Sequence, residues 1–217
     1  MTTLSEENYL KAIYHLGKQG GEAVSTNAIA EKIESKASSV TDMVKKLADK
    51  NLANYVKYQG VSLTNNGRLA AALVVRKHRL WEVFLVEKLN FSWDEVHDIA
   101  EQLEHIKSLK LVNELDAFLG FPTHDPHGDP IPDKEGNYIQ TKSVNILEMA
   151  IGSEGVLALV KDASDVFLKY LNKNNLALGD VIKVIDFEPF DGSVTIQTKN
   201  KQIIISKEVA KNLYLRQ

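Results

Sequence analysis

At 217 residues, with 44% hydrophobic and 25% charged side chains, the chain has the composition of an ordinary folded protein and a length that predicts two or three small domains. It contains no cysteine, which excludes disulfide frameworks, thiolate zinc sites and cysteine nucleophiles and leaves any metal to nitrogen and oxygen donors. The net charge of −3 conceals an asymmetry: residues 1–72 carry nine Lys/Arg against seven Asp/Glu, residues 73–141 seven against thirteen, and residues 142–217 ten against nine. A weakly basic head followed by an acidic middle suits an anionic partner and then cations, although a solvated acidic helical face would give the same count. Met1 to Leu10 shows no basic stretch followed by an apolar one, and the most apolar run, Leu69 to Leu89, is broken by Arg76, Lys77, His78, Arg79, Glu82 and Glu87. A cytoplasmic protein without a membrane span is expected.

Tyr9, Leu10, Ile13, Tyr14 and Leu16 recur at helical spacing from Ser5 until Gly17, and Gly20-Gly21 ends the segment. Ser25 caps a short helix containing Ile29, Ala30 and Ile33. Residues 34–37 make a turn, and Ser38 is placed to cap a third helix with Val40, Val44 and Leu47 inside. Two strands, Leu52 to Val56 and Val61 to Leu63, flank the hairpin tip Lys57-Tyr58-Gln59-Gly60, so a wing follows a helix-turn-helix. Helical periodicity resumes from Arg68 to Leu89. A further helix, capped by Ser92 or Asp94, runs to about Leu109, and another spans Leu111 to Leu119. Residues 121–138, rich in proline and glycine, read as an ordered connector. In the last third Ser143 to Met149, Val156 to Val160, Val181 to Ile185, Val194 to Thr198 and Gln202 to Ile205 read as strands around one helix at Ser164 to Asn172, the pattern of a small barrel.

Two constellations carry chemistry. The second helix of a helix-turn-helix enters the major groove, and its first turn reads bases while its neighbours hold phosphate. Here that turn presents Ser38, Ser39, Thr41 and Asp42, with Lys36 before it and Lys45 and Lys46 after it; Lys57 and Tyr58 stand at the wing tip. Hydroxyls and ammoniums donate to phosphate, and Asp42 can accept from a cytosine amino group. The bland reading is a well-capped helix with a solvated lysine face. The second constellation is His97, Glu101, Glu104 and His105, at i, i+4, i+7 and i+8 on one predicted helical stripe, with His78 and Glu82 at i, i+4 on the helix before it. Six imidazole and carboxylate groups suit Mn²⁺ or Fe²⁺, and Co²⁺, Ni²⁺ or Zn²⁺ as well; an exposed acidic stripe with histidines is the competing explanation. A di-metal carboxylate enzyme fits less well, because Glu101 is followed three residues on by Glu104 where such sites repeat Glu-x-x-His. No nucleophile, oxyanion-hole motif or glycine-rich phosphate loop is evident, so neither an enzyme nor an organic substrate is expected.

Glu7 to Tyr14, Arg76 to Leu80, Val96-His97-Asp98, Glu104-His105 and His127 to Pro132 occur in an order that resembles the diphtheria toxin repressor family of iron- and manganese-dependent regulators. The resemblance covers nearly the whole chain. It implies a mainly α protein with a small β part: a winged helix-turn-helix domain at 1–72, a helical dimerisation and metal-binding domain at 73–141, and an SH3-like, FeoA-like β-barrel at 142–217. It further implies a homodimer that represses transcription from operator DNA when loaded with Mn²⁺ or Fe²⁺. One metal falls at His78, Glu82 and His97, and the other at Glu101, Glu104 and His105 with Asn8 from the first helix. Glu101 stands where manganese-type members have glutamate and iron-type members cysteine. Asn8 replaces the usual methionine or aspartate, and Lys11 replaces a glutamate that manganese regulators use for their second ion. Asp162 lies near a place where the SH3-like domain of the family supplies a ligand, while Leu159 occupies that of an expected carboxylate. His124 and His127, in the connector, are expected to be structural. A metal-independent winged-helix regulator is the alternative.

Overall fold

A computed structural model describes residues 2–139, 142–199 and 201–217. It forms two compact units. The first is Met1–Trp81 with Ala100–Phe118 and Ile131–Tyr138, and the second is Glu82–Ile99 with Leu119–Pro130 and Ile139–Gln217. The domain boundary expected at Thr141 lies outside the described residues.

In the first unit α1 (Leu4–Leu16), α2 (Thr26–Lys32) and α3 (Ala37–Asp49) precede the hairpin β1 (Ala53–Val56) and β2 (Gly60–Leu63). Leu10, Ile13, Ile29, Val40, Val44, Leu47 and Leu63 are fully buried and make the core. Each helical periodicity read above is the buried face of one of these helices. Ser25 caps α2 through the amide of Ala28, whereas α3 begins two residues earlier than expected, at Ala37, with Lys36 in place of Ser38 at its N-cap and no side-chain cap. The hairpin is held to the helices by a backbone bridge between Val24 and Val61. Helix α4 (Asn65–Leu89) opens on Gly67, where a Cβ would stand 1.8 Å from the carbonyl oxygen of Leu52; only glycine lets the helix start against the hairpin.

Helix α5 (His97–Leu103) is shorter than the predicted one. Ser92 donates both its amide and its hydroxyl to the Glu95 carboxylate, which holds residues 92–95 as a turn. At the other end the chain leaves the helix after Leu103, so Glu104 and His105 lie on a turn rather than on the stripe of His97 and Glu101. Helix α6 (Leu109–Phe118) follows.

The second unit carries an antiparallel sheet of β3 (Val144–Asn145), β4 (Glu154–Val160), β5 (Val181–Phe187), β6 (Val194–Gln197), β7 (Gln202–Ile205) and β8 (Leu213–Arg216), with α7 (Asp165–Lys173) and α8 (Lys207–Ala210). Its order is β3-β8-β4-β5-β6-β7. The expected barrel does not close: β3 and β7 remain edges. The predicted strand 143–149 is only two residues long before a 3₁₀ turn at Ile146–Glu148, too short to span the gap. Register shifts at Leu157/Leu159 and Val184/Asp186 bend the sheet instead. Helix α8 and strand β8, both unpredicted, supply Ala210, Leu213 and Leu215 to a core of Leu157, Leu168, Leu171, Ile182, Val194 and Ile196.

One ion cluster joins α1 to α3. Glu6, fully buried, forms a capping box with Thr3 and accepts from Lys50 Nζ at 2.7 and 2.9 Å, with Lys46 Nζ at 3.2 Å. Burial raises the Glu6 carboxyl, but the hydrogen bonds from Lys50, the Thr3 amide and Lys46 outweigh it and hold it at about 2, against an ordinary 4.5. A depressed carboxylate stabilises the fold above its unfolded value and ceases to do so as pH falls toward its folded one. We expect Glu6→Gln to lower the unfolding free energy at pH 7 by about 1–3 kcal/mol, the half-exposed lysines reducing the full effect. The variant should also lose part of the wild-type decline in stability from pH 4.5 toward 2; a urea-denaturation series across that range checks both.

Candidate metal centre and DNA-reading face

The site begins with the rotation of α4. Arg76 is buried, its Nη1 donating to the Pro132 carbonyl at 2.7 Å and its Nη2 to Asp116 Oδ2 at 2.6 Å. This fixes α4 against α6 and against the end of the proline-rich connector, and so decides where His78, two residues on, points. His78 Nδ1 stands 2.6 Å from Glu104 Oε2. A carboxylate only accepts, so Nδ1 carries the proton and the neutral ring presents its lone pair at Nε2.

Glu104 receives a second donor, and this one is cationic. Lys11 Nζ lies 2.7 Å from the same Oε2, 3.4 Å from Glu101 Oε1 and 3.4 Å from His78 Nδ1. Burial raises the Glu104 carboxyl, but the hydrogen bond from His78 and the charge of Lys11 outweigh it and hold the group below its ordinary 4.5. Its other oxygen, Oε1, is 3.7 Å from His105 Nε2, while His105 Nδ1 donates to Glu7 Oε2 at 2.8 Å. The Glu7 contact orients the imidazole with its lone-pair nitrogen toward Glu104, the arrangement that outer carboxylates impose on metal-ligating histidines. Glu7 also accepts from Thr2 Oγ1 at 2.9 Å and lies 3.7 Å from Lys77 Nζ. Burial lowers Lys77, with Glu7 and Glu104 opposing.

The residue that ties α1 to His105 is therefore Glu7, which sequence reasoning missed, and not Asn8. Asn8 is exposed, and no hydrogen bond or ion pair involves it among the described residues. The available signal was the i, i+4 pair Glu7 and Lys11, both of which face the cluster.

Glu82 lies one turn beyond His78 on α4. Its Oε1 is 3.6 Å from His97 Nδ1 and its Oε2 is 3.8 Å from His127 Nδ1. Glu82, Asp125 and His127 offer ligand atoms within 4.8 Å of one another, and all three are buried. His127 Nε2 donates to the Trp93 carbonyl at 2.9 Å, and the Trp93 ring stacks on the imidazole at 17°. The lone pair is thereby directed through Nδ1 at the two carboxylates. Asp125 Oδ1 accepts from the amides of His127 and Asp129, which fixes the tight turn. Gly128 at φ 90° completes it, where a Cβ would meet the Ala158 carbonyl oxygen at 2.0 Å. The expectation that His127 is purely structural is thus incomplete: the Asp-x-His spacing was the signal, obscured by the surrounding prolines. His124 pairs by a backbone bridge with Pro130. Asp162 uses Oδ1 to accept from the Ser164 amide at 2.8 Å, and it joins neither group of donors.

On α3, Ser38, Ser39, Asp42 and Lys45 are exposed, as is Lys36 at its cap. Thr41 spends its hydroxyl on the Ala37 carbonyl, 3.0 Å away, and Lys46 is shared with Glu6. Tyr58, with φ at 68°, tops the hairpin almost fully exposed, and Lys57 Nζ lies 4.9 Å from its ring centroid. No described helix is long and apolar enough to cross a membrane.

Comparison with known proteins matches three family models along the chain. Residues 1–61 match the iron-dependent repressor N-terminal DNA-binding domain, 64–133 the iron-dependent repressor metal-binding and dimerisation domain, and 144–217 the FeoA domain. The iron-dependent repressor IdeR of Mycobacterium leprae is 32% identical over 154 residues, which is 68% of this chain and 66% of that protein. A manganese-dependent transcriptional repressor solved in complex with manganese superposes with a TM-score of 0.87 at 34% identity, covering 97% of this chain and 98% of the other. The structure of ScaR with bound Zn²⁺ gives 0.81 at 31% identity, covering 97% and 98%.

The Arg76 clamp yields a measurable expectation. Asp116→Ala leaves a buried guanidinium with its carbonyl partner alone and should cost about 3–5 kcal/mol of stability, read as a lowered thermal midpoint. Glu114→Ala, on the exposed side of α6, should shift it by less than about 0.5 kcal/mol.

Proposed function

Because the chain belongs to the diphtheria toxin repressor family of metal-dependent regulators, we propose that it is a homodimeric repressor that binds operator DNA when loaded with Mn²⁺ or Fe²⁺ and controls metal-homeostasis genes, without enzymatic activity. The observation that carries this reading is the position of α1. It is clamped to the reading helix α3 through Glu6, Lys46 and Lys50, and to the Glu104–His105 turn through Glu7 and Lys11. Residues 1–72 are assigned to the DNA-reading head, 73–141 to dimerisation and metal binding, and 142–217 to the FeoA-like domain.

Two sets of donors are assigned to divalent cations. One is Glu101, Glu104 and His105, of which Glu104 and His105 face each other with Glu7 orienting the histidine, while Glu101 is linked to Glu104 through Lys11. The other is centred on Glu82, with His78 a turn away on α4, His97 beside one oxygen, and Asp125 and His127 beside the other. Asn8 and Asp162 remain candidate ligands on the family resemblance, Asp162 lying just beyond the strand end where the Val160 amide donates to the His127 carbonyl. Nitrogen and carboxylate donors without sulfur favour the harder ions. A bound ion supplies positive charge that compensates these carboxylates and requires one geometry of them. Glu104 and His105 then hold α1, and α1 holds α3, in a position that favours one spacing of the two reading helices in a dimer. Ser38, Ser39, Thr41 and Asp42 are assigned to base edges, and Lys36, Lys45, Lys46, Lys57 and Tyr58 to phosphate.

Gel-shift titration should show operator affinity rising with Mn²⁺ or Fe²⁺ over a chelated control, and the rise should vanish in Glu104→Ala/His105→Ala. An unchanged metal response in the double variant would overturn the proposal, and equal binding in chelator and metal would favour a metal-independent regulator. Lys45→Ala and Lys57→Ala should each weaken binding on any sequence and reduce the salt slope by about one.

A further inference from the structure

The Lys11 ammonium sits where three side chains from separate segments converge: the carboxylates of Glu101 on α5 and Glu104 on the turn after it, with the His78 ring of α4 beside them. Its side chain is 15% exposed and its Nζ is 2.7 Å from Glu104 Oε2, the oxygen that also accepts from His78. The opposite side of the same carboxylate, Oε1, faces His105 Nε2, which is 3.7 Å away. Glu104 thus has two faces with different occupants: a covalently tethered cation on one, and a histidine lone pair on the other.

We propose that Lys11 is a built-in counter-cation that permanently fills the His78–Glu101–Glu104 position, so that this part of the protein takes one exchangeable metal ion, on the Glu104–His105 side, rather than two. An ion placed among His78, Glu101 and Glu104 must displace the ammonium from both carboxylates or sit against its charge, and like charges at such separations repel strongly in a partly dry site. An ion on the Glu104–His105 side displaces no ammonium from Glu104 itself, because the other nearby cation, Lys77, stands 3.7 Å from the outer carboxylate Glu7. Lys11 is therefore a residue that sets metal stoichiometry, and it also bridges α1 to Glu104 in the metal-free protein.

This inference rests on the metal reading above, and the test separates the two. Metal per subunit is counted by equilibrium dialysis against Mn²⁺ with elemental analysis, for wild type, Lys11→Glu, Lys11→Arg and Lys11→Met, together with Mn²⁺ electron paramagnetic resonance and metal-free thermal melts. Lys11→Glu should bind one ion more than wild type and show exchange-coupled manganese, whereas Lys11→Arg should keep the wild-type count. Lys11→Met should melt about 3–6 °C lower without metal and recover more on Mn²⁺ addition than wild type does. Uptake by wild type with no extra ion in Lys11→Glu overturns this inference alone, as does an unshifted metal-free melt in Lys11→Met. Uptake by neither overturns the metal reading on which it rests.

Discussion

Glu104 is 1% exposed, and a carboxylate withdrawn that far from water is tolerated only when cations and donors surround it. That requirement organises the first unit. His78 arrives on a helix whose rotation is fixed by Arg76, Lys11 on a helix whose start is fixed by the Thr3–Glu6 capping box, and His105 immediately follows Glu104 in the chain. Remove any one and the buried carboxylate loses part of its compensation. The same residues make α1 a mechanical link, since its other face carries Glu6 to the lysines of α3. A change in what compensates Glu104 therefore acts on the helix that is clamped to α3.

Glu82 plays a comparable part in the second unit, with a different solution. It too is nearly inaccessible, but the groups that face it are the imidazoles of His97 and His127, and a second carboxylate, Asp125, stands close by. Two buried carboxylates near one another repel unless a cation lies between them. The Trp93 carbonyl and the tight Asp125–Asp129 turn spend hydrogen bonds on orienting the donors rather than on neutralising them. One carboxylate takes its compensation from a lysine and a histidine; the other is lined by imidazoles and a neighbouring carboxylate.

Much of this was legible in the sequence because it follows periodicity. The buried faces of α1 to α4 and the Ser25 cap obey the 3.6-residue repeat, and the wing obeys turn chemistry. The failures lie where tertiary contacts override local pattern. The stripe of His97, Glu101, Glu104 and His105 presumes a continuous helix, but Glu104 and His105 are drawn off its end by Lys11, His78 and Glu7. Asn8 and Glu7 are adjacent, and a rotation of about 100° per residue decides which faces the cluster; only the i, i+4 pairing of Glu7 with Lys11 separates them. His127 was hidden because proline and glycine mark a connector, and what gives it a chemical role is the packing of that connector on β4, invisible before the fold is known. The strand β8 lacked flanking turn residues strong enough to be read, and the sheet it joins stays open because β3 is too short.

The contrast between the two carboxylates bears on how a chain of this kind distinguishes a structural charge from a regulatory one. A lysine tethered at one end contributes a fixed cation whose local concentration does not depend on the cell, so it stabilises without sensing. A site whose donors are orientated by backbone carbonyls and amides has its entropy of ordering largely settled before any ion arrives, so its occupancy follows concentration. Glu104 stands between the two kinds: one oxygen is held by a tethered ammonium and the other faces an imidazole nitrogen, so a single buried carboxylate belongs to the fold on one side and lies beside a donor on the other.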